Sequence, residues 1–416
     1  MLWAPETTRI WRRSSMSVPE MTRSDAAREF VADHTVERDR RPMVDGPNKF
    51  KFAIFGANVS TGQGGLTLAE NTIALGNWDE VRGLAEKADR YGVEGFIPIA
   101  RWQGLSGPDR PWGRQHETFT WAAGLAATTR NIQIFATCHV PFVHPLMAAK
   151  MSATVDHISG GRMGLNAVAG YHQPEYRMFG LELPEHDKRY EMAEEWMTIV
   201  ERLWSDEGDE FEFDFDGEFF ELAGAQAYPK PVQSPGPMVM SAGASPAGQK
   251  FAFEHANILF IMVADVDSST AVTQKVRASA DEAGRPDLGL WAGVHIVCKD
   301  TEKEAQDYVK YVVDEKGDWE SAVRYQQILA SGDARSMRWE DYKRDKDFKK
   351  DESVRTFMRA GLVPLVGTPE MIVEGLQKLS DAGIAGVCTG LVDYDEGLDR
   401  LNEQIFPLMR SAGLRA

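Results

Sequence analysis

Apolar and polar positions along this chain repeat as a unit: a short apolar run, a polar or glycine-bearing exit, then a stretch with apolar residues at helical spacing. Phe50 opens the run FKFAIFGA, and NWDEVRGLAEKADRYG follows with a period near that of a helix and a stop at Gly92. GFIPIA (95–100) predicts a strand, HETFTWAAGLAATT a helix, IQIFATCHV (132–140) a strand, and PLMAAKMSATVDHI a helix with Pro145 in its opening turn. RMGLNAVAG is the fourth strand, and the helix after it begins near Arg189. PMVMSAG (237–243), NILFIMV (257–263), LWAGVHIVC (290–298) and IAGVCTGL (384–391) complete eight. Eight strands in βα order predict an α/β fold, a TIM (β/α)8 barrel with insertions, where a doubly wound sheet would have about five to seven strands.

The segment Ile158–Tyr176, ISGGRMGLNAVAGYHQPEY, holds the most chemistry: a Gly-Gly turn, a buried strand and a polar exit carrying Asn166, Tyr171, His172 and Glu175. In either architecture that polar strand end is where ligands bind. Two segments break the rhythm. EFEFDFDGEFFEL (210–222) alternates acids with Phe and turns at Asp216-Gly217, a hairpin within an insertion of about 206–236. Residues 306–362 include DARSMRWEDYKRDKDFKKDES, which reads as a solvated helix or loop and, placed before the last strand, as a candidate active-site lid. Residues 1–47 lack periodicity and are expected to be a polar, disordered arm, leaving 48–416 as one barrel domain.

Composition narrows the partners. A net charge of −17 and a pI near 5.1 disfavour attraction to nucleic acid or anionic membranes. No window approaches the length of an apolar membrane span, and no apolar segment follows the Arg-rich start, so neither a span nor secretion is expected. Cys138, Cys298 and Cys388 each lie in or beside a β-like run and are expected to be reduced core thiols, with no metal cluster.

GxSxG, HExxH, a P-loop and a strand-borne GxGxxG are all missing. What remains is a set of polar residues at strand ends: Asn58, Arg101, Thr137, His139, Asn166 and Ser241 to Ser245. Polar groups converging without a nucleophile suggest that a cofactor carries the hard chemistry. Asn58 can instead form an Asx-turn, and Thr137 is an ordinary strand residue. Asn166 is harder to dismiss, because an amide in an apolar strand needs partners. SAGASPAG sets hydroxyls and backbone N–H groups where a strand gives way to a helix, an anion-binding arrangement that Arg189 could complete.

With these residues in view the chain resembles the bacterial luciferase-like flavin monooxygenases. The matching pieces are FKFAIFGANVS, HETFTWAAGLAATTRNIQIFATCHVPFVHPLMAAKMSATVDHISGGRMGLNAVAGYHQPEY, EHDKRYEMAEEWMTIVERLW, FDGEFFELAGAQAYPKPVQSPGPMVMSAGASPAGQKFA and LVGTPEMIVEGL. Within that superfamily it looks closest to the pyrimidine ring-opening branch, with dimethyl sulfone and alkanesulfonate monooxygenases next. The resemblance implies FMN, delivered as FMNH2 by a separate NAD(P)H-dependent flavin reductase, with O2 as co-substrate and a flavin peroxide that oxidises a pyrimidine-like heterocycle, sulfone or alkanesulfonate. It assigns cofactor binding to Ala100, Arg101, Asn166, Glu175, Arg189, Tyr190 and Ser245, and the catalytic oxygen pocket to Thr137 and Asn166. Asn58, His139, Tyr171 and His172 are the substrate-side candidates; Cys138-His139 and Tyr171-His172 depart from the branch pattern. A cytoplasmic homo-oligomer, dimer or tetramer, is expected. Two alternatives stay open on the same barrel: an F420-dependent oxidoreductase and a non-catalytic luciferase-like subunit.

Overall fold

The apolar runs become strands of one sheet. The computed structural model describes residues 41–63, 65–73, 77–105, 111–205, 212–331 and 361–416. In chain order come β1 (Lys51–Phe55), β2 (Gly95–Ile97), β3 (Gln133–His139), β4 (Met163–Val168), the pair β5 (Phe213–Asp216) and β6 (Glu221–Ala225), then β7 (Met238–Ser241), β8 (Ile258–Ile261), β9 (Gly289–Cys298), β10 (Val363–Gly367) and β11 (Gly386–Gly390). Parallel pairing runs β1-β2-β3-β4-β7-β8-β9-β11 and returns from β11 to β1, closing an eight-stranded barrel from the eight expected strands. β5 and β6 pair antiparallel, as the alternation of acid and Phe implied.

β10 departs from the sequence reading. Val363–Gly367 pairs with Val294–Cys298, beyond the stretch Gly289–Ala292 that pairs with β8. β9 is ten residues long and so has room for two successive partners on one edge. β10 was missed because Pro364 and the neighbouring charged run mask a five-residue strand.

Helices α1 (Trp78–Arg90), α2 (Thr118–Thr128), α3 (Pro145–Ser159), α4 (Gln173–Met178), α5 (His186–Trp204), α6 (Pro246–His255), α7 (Ser269–Glu282), α8 (Glu302–Lys310), α9 (Trp319–Ser331), α10 (Pro369–Asp381), α11 (Tyr394–Arg400) and α12 (Phe406–Ser411) surround the barrel. Their ends follow local chemistry. Asn77 accepts from Asp79 N–H to start α1, and Val81, Leu84, Ala85 and Ala88 form its buried stripe. α3 starts with Pro145 behind His144 and stops at Gly160, whose φ of 65° is left-handed and whose N–H closes onto Asp156 and His157. Arg162, just after that turn, is buried and donates to the carbonyls of Ala126, Thr129, Ser159 and Ile132, tying the end of α2 to the entry of β4.

Two apolar layers result. Ala53, Ile97, Phe135, Met238, Met240, Ile258, Trp291 and Cys388 fill the barrel interior together with Met43, which is 1% exposed. Of the arm expected over residues 1–47, positions up to 40 lie outside the described residues, and Met43 is packed into this floor. The larger cluster lies between strands and helices, and each fully buried Leu, Ile or Phe there contributes about 1.5–3 kcal/mol. All three cysteines are free and buried. No helix among the described residues is long and apolar enough to cross a membrane.

Candidate active site

At the C-terminal ends of β3 and β4 the register sets Thr137 beside Asn166. Asn166 Nδ2 donates to Thr137 Oγ1 at 3.1 Å, and that hydroxyl donates onward to the Pro98 carbonyl at 2.6 Å. The carbonyl can only accept, so the threonine hydrogen is committed and its oxygen must accept from the amide. Asn166 Oδ1 is buried with no hydrogen-bond partner among the described residues. An unsatisfied buried acceptor costs roughly 1–3 kcal/mol, which a donor reaching this strand end would recover.

The exit of β4 then gathers most of the remaining candidates. Gly170 O accepts from Arg189 Nη1 at the start of α5, and Tyr171 Oη accepts from Arg101 Nη2 at the end of β2. Glu175, 1% exposed, accepts from Trp102 N–H at 2.7 Å and Gln103 N–H at 3.1 Å, so it fixes the loop leaving β2. His172 Nδ1 lies 3.4 Å from the same carboxylate, too long and poorly aligned for a hydrogen bond. Burial pushes the Glu175 carboxyl up, but His172, Arg101, His139 and the Trp102 N–H outweigh it and hold the group at about 2. Burial lowers the His139 imidazole to about 4, with Arg101 and His172 adding to the effect and Glu175 opposing it, so the ring is neutral near pH 7.

Arg101 sits 5.4 Å from the centre of the Trp112 ring and 5.1 Å from that of Tyr171. Burial opposes its charge, yet Tyr171, Tyr325 and Glu175 outweigh burial and hold the guanidinium above its ordinary value. Trp112 has a left-handed φ of 59° and meets Tyr325 edge-on at 5.0 Å. Trp112 stands in the same loop between β2 and α2 as Arg101, whereas Tyr325 comes from α9, remote in the chain, and was not among the sequence candidates. A left-handed tryptophan is uncommon backbone strain of the kind that collects at functional sites.

Beside this cluster lies a cavity of about 180 Å³ lined by Ala100, Arg101, Thr137, His139, Gln115 and His116 among others. Asn58 makes a clamp at the end of β2 next to Ala100: Nδ2 donates to Ile99 O at 2.7 Å and Oδ1 accepts from Ile99 N–H at 2.8 Å.

Arg189, Tyr190 and Ser245 form a second locus at the N-termini of α5 and α6. Ser245 caps α6, its hydroxyl accepting from Gly248 N–H at 3.1 Å and interacting with the Tyr190 hydroxyl. Gly243 and Gly248 pack so closely that a Cβ on Gly243 would lie 2.4 Å from the Gly248 Cα, so the SAGASPAG turn requires glycine at both. Arg189 Nε is buried with no hydrogen-bond partner among the described residues. A guanidinium, hydroxyls and a helix N-terminus together suit a phosphate dianion.

Residues 52–386 match the family described as luciferase-like monooxygenase. Pyrimidine monooxygenase RutA of Allorhizobium ampelinum is 29% identical over 345 residues, covering 79% of this chain and 88% of the relative. Among solved structures, a riboflavin lyase with modified FMN and riboflavin superimposes with a TM-score of 0.77 at 22% identity, covering 88% of this chain and 93% of that one. A long-chain alkane monooxygenase does so with a TM-score of 0.74 at 19% identity, covering 88% and 92%.

Proposed function

The chain belongs to the luciferase-like monooxygenase family, and on that premise we propose that it is an FMNH2-dependent, two-component monooxygenase that oxidises a small organic substrate with O2. The observation that carries this reading is the Asn166–Thr137 pair, a buried amide with an unsatisfied oxygen at the barrel rim beside a cavity of about 180 Å³. The residues present fit a flavin mononucleotide. Arg189, Tyr190, Ser245 and the α6 N-terminus would hold the phosphate, and Asn166 would face the ring. Bound reduced FMN would supply the electrons that activate dioxygen.

The protein's own groups then have separable tasks. Because the Thr137 hydrogen is committed to Pro98, the Asn166 amide is the member of the pair with a donor hydrogen left for a ligand. Glu175 holds Trp102 and Gln103, and Asn58 holds Ile99, so the β2 exit that bears Ala100 and Arg101 is fixed from both sides. Neutral His139 and the lining residues Gln115 and His116 define the substrate side. Trp319, Ala322 and Val323 of α9 pack with Val59, Leu66, Leu105 and Trp112 over the loop that follows β1, so part of the 306–362 insertion covers the rim. Such a cover would exclude water from the reaction.

The relatives named pyrimidine monooxygenases favour a pyrimidine-like heterocycle over a sulfone or an alkanesulfonate as substrate. Reduced FMN would come from a separate NAD(P)H-dependent reductase, since this chain lacks a dinucleotide fingerprint. Incubation with reduced FMN and labelled dioxygen, screened against uracil, dimethyl sulfone and alkanesulfonates, tests the reading. It predicts one labelled oxygen atom in one of these products; consumption of dioxygen with no label in any organic product contradicts it.

A further inference from the structure

His255, the last residue of α6, places Nε2 3.0 Å from Glu194 Oε2 and Nδ1 3.0 Å from Glu201 Oε1, both on α5. Ionised carboxylates only accept, so both ring nitrogens carry hydrogen and the ring is an imidazolium. Burial works against that charge, but the two carboxylates hold the group up at about 9, and Glu194 is correspondingly held down at about 2. His255 therefore fastens α6 to α5 as a two-pronged cation.

The seam between these helices leads directly to the phosphate locus. Phe251, one turn before His255, lies 5.1 Å from its ring and 6.4 Å from that of Tyr190. The Tyr190 hydroxyl in turn lies where a Cβ on Gly248 would approach within 2.7 Å, and it interacts with Ser245. His255, Phe251, Tyr190 and Ser245 thus form a continuous ladder from the helix clamp to the anion-binding turn. Other charges face the clamp: Lys250 lies 3.4 Å from Glu194 and 3.1 Å from Glu254, and Arg285 donates to the carbonyls of Phe253 and Ala256 at the end of α6.

We infer that His255 is a positioning residue for the cofactor phosphate, fixing the spacing of the α5 and α6 N-termini so that Arg189, Tyr190 and Ser245 favour a flavin bearing a phosphate over one without it. The inference rests on the flavin reading above. A positively charged side chain with two donors is required at this position; a merely space-filling one would leave the helices apposed but their N-termini unfixed.

Anaerobic calorimetric titrations of the full chain with reduced FMN and reduced riboflavin test it. The wild type prefers FMN; His255→Leu lowers that preference by about tenfold or more while riboflavin affinity changes by less than about twofold, and His255→Arg restores most of it. A histidine raised in the folded state holds its contacts below its folded pKa and loses them above, so the wild-type preference falls as pH rises through about 9 and the leucine variant's does not. An unchanged preference in His255→Leu, or a wild-type preference flat up to about pH 10, overturns the inference. Equal wild-type affinity for FMN and riboflavin instead overturns the phosphate reading itself. Should the leucine variant fail to fold, the arginine variant and the wild-type pH series still decide.

Discussion

Asn166 donates to a threonine whose own hydrogen is committed to Pro98, and its carbonyl oxygen is left buried and unsatisfied. Asn166→Ala removes the only amide of this pair, so FMN affinity should stay within about twofold while peroxide released per dioxygen consumed rises; unchanged coupling in a peroxide assay refutes the role. Ser245→Ala should weaken FMN by about 1–2 kcal/mol through one lost phosphate hydrogen bond, and should cost about 1 kcal/mol of fold stability through the lost α6 cap, read by titration and thermal unfolding. Glu175 has a folded pKa near 2, below its unfolded value, so its contribution of about 3 kcal/mol is present above about pH 4.5 and lost as pH falls toward 2. Glu175→Gln should therefore flatten the acid limb of the stability curve in that window; an unaltered limb contradicts its charge. Asn166 was legible because a polar amide interrupts an apolar strand. The clamp that Asn58 makes was not, because its partner Ile99 lies in the loop beyond β2, and Tyr325 was not, because only the fold brings α9 to Arg101.

Period and capping chemistry made the eight barrel strands and the helices between them readable, and the β5–β6 hairpin announced itself through its alternation. β10 escaped because a five-residue strand containing proline has no periodicity to show, and its assignment depends on β9 being long enough to carry a second partner. Met43 escaped because a single apolar residue in a polar stretch carries no pattern; its burial follows from the open floor that a barrel of this size presents. Met43→Ala should cost about 2–4 kcal/mol by leaving a cavity there, measured by denaturant unfolding; a change under about 0.5 kcal/mol would show that the floor closes without it.

Across the whole molecule a net charge of −17 opposes the approach of an anionic cofactor, so binding must be carried by local positive potential. The architecture supplies it by bringing the guanidinium of Arg189 and the α6 N-terminus to one end of the β4 exit segment, while Asn166 and Glu175 occupy the rest. On the proposed reading, the phosphate, ring and loop-fixing roles would fall to residues of different elements, α5 and α6, β4, and α4. The most direct measurement of this claim is an anaerobic titration of wild type and Arg189→Ala with reduced FMN. Saturation at one flavin per chain, weakened about tenfold or more in the variant, is the expected result; the absence of saturable binding to the wild type, or equal affinity in the two proteins, contradicts it.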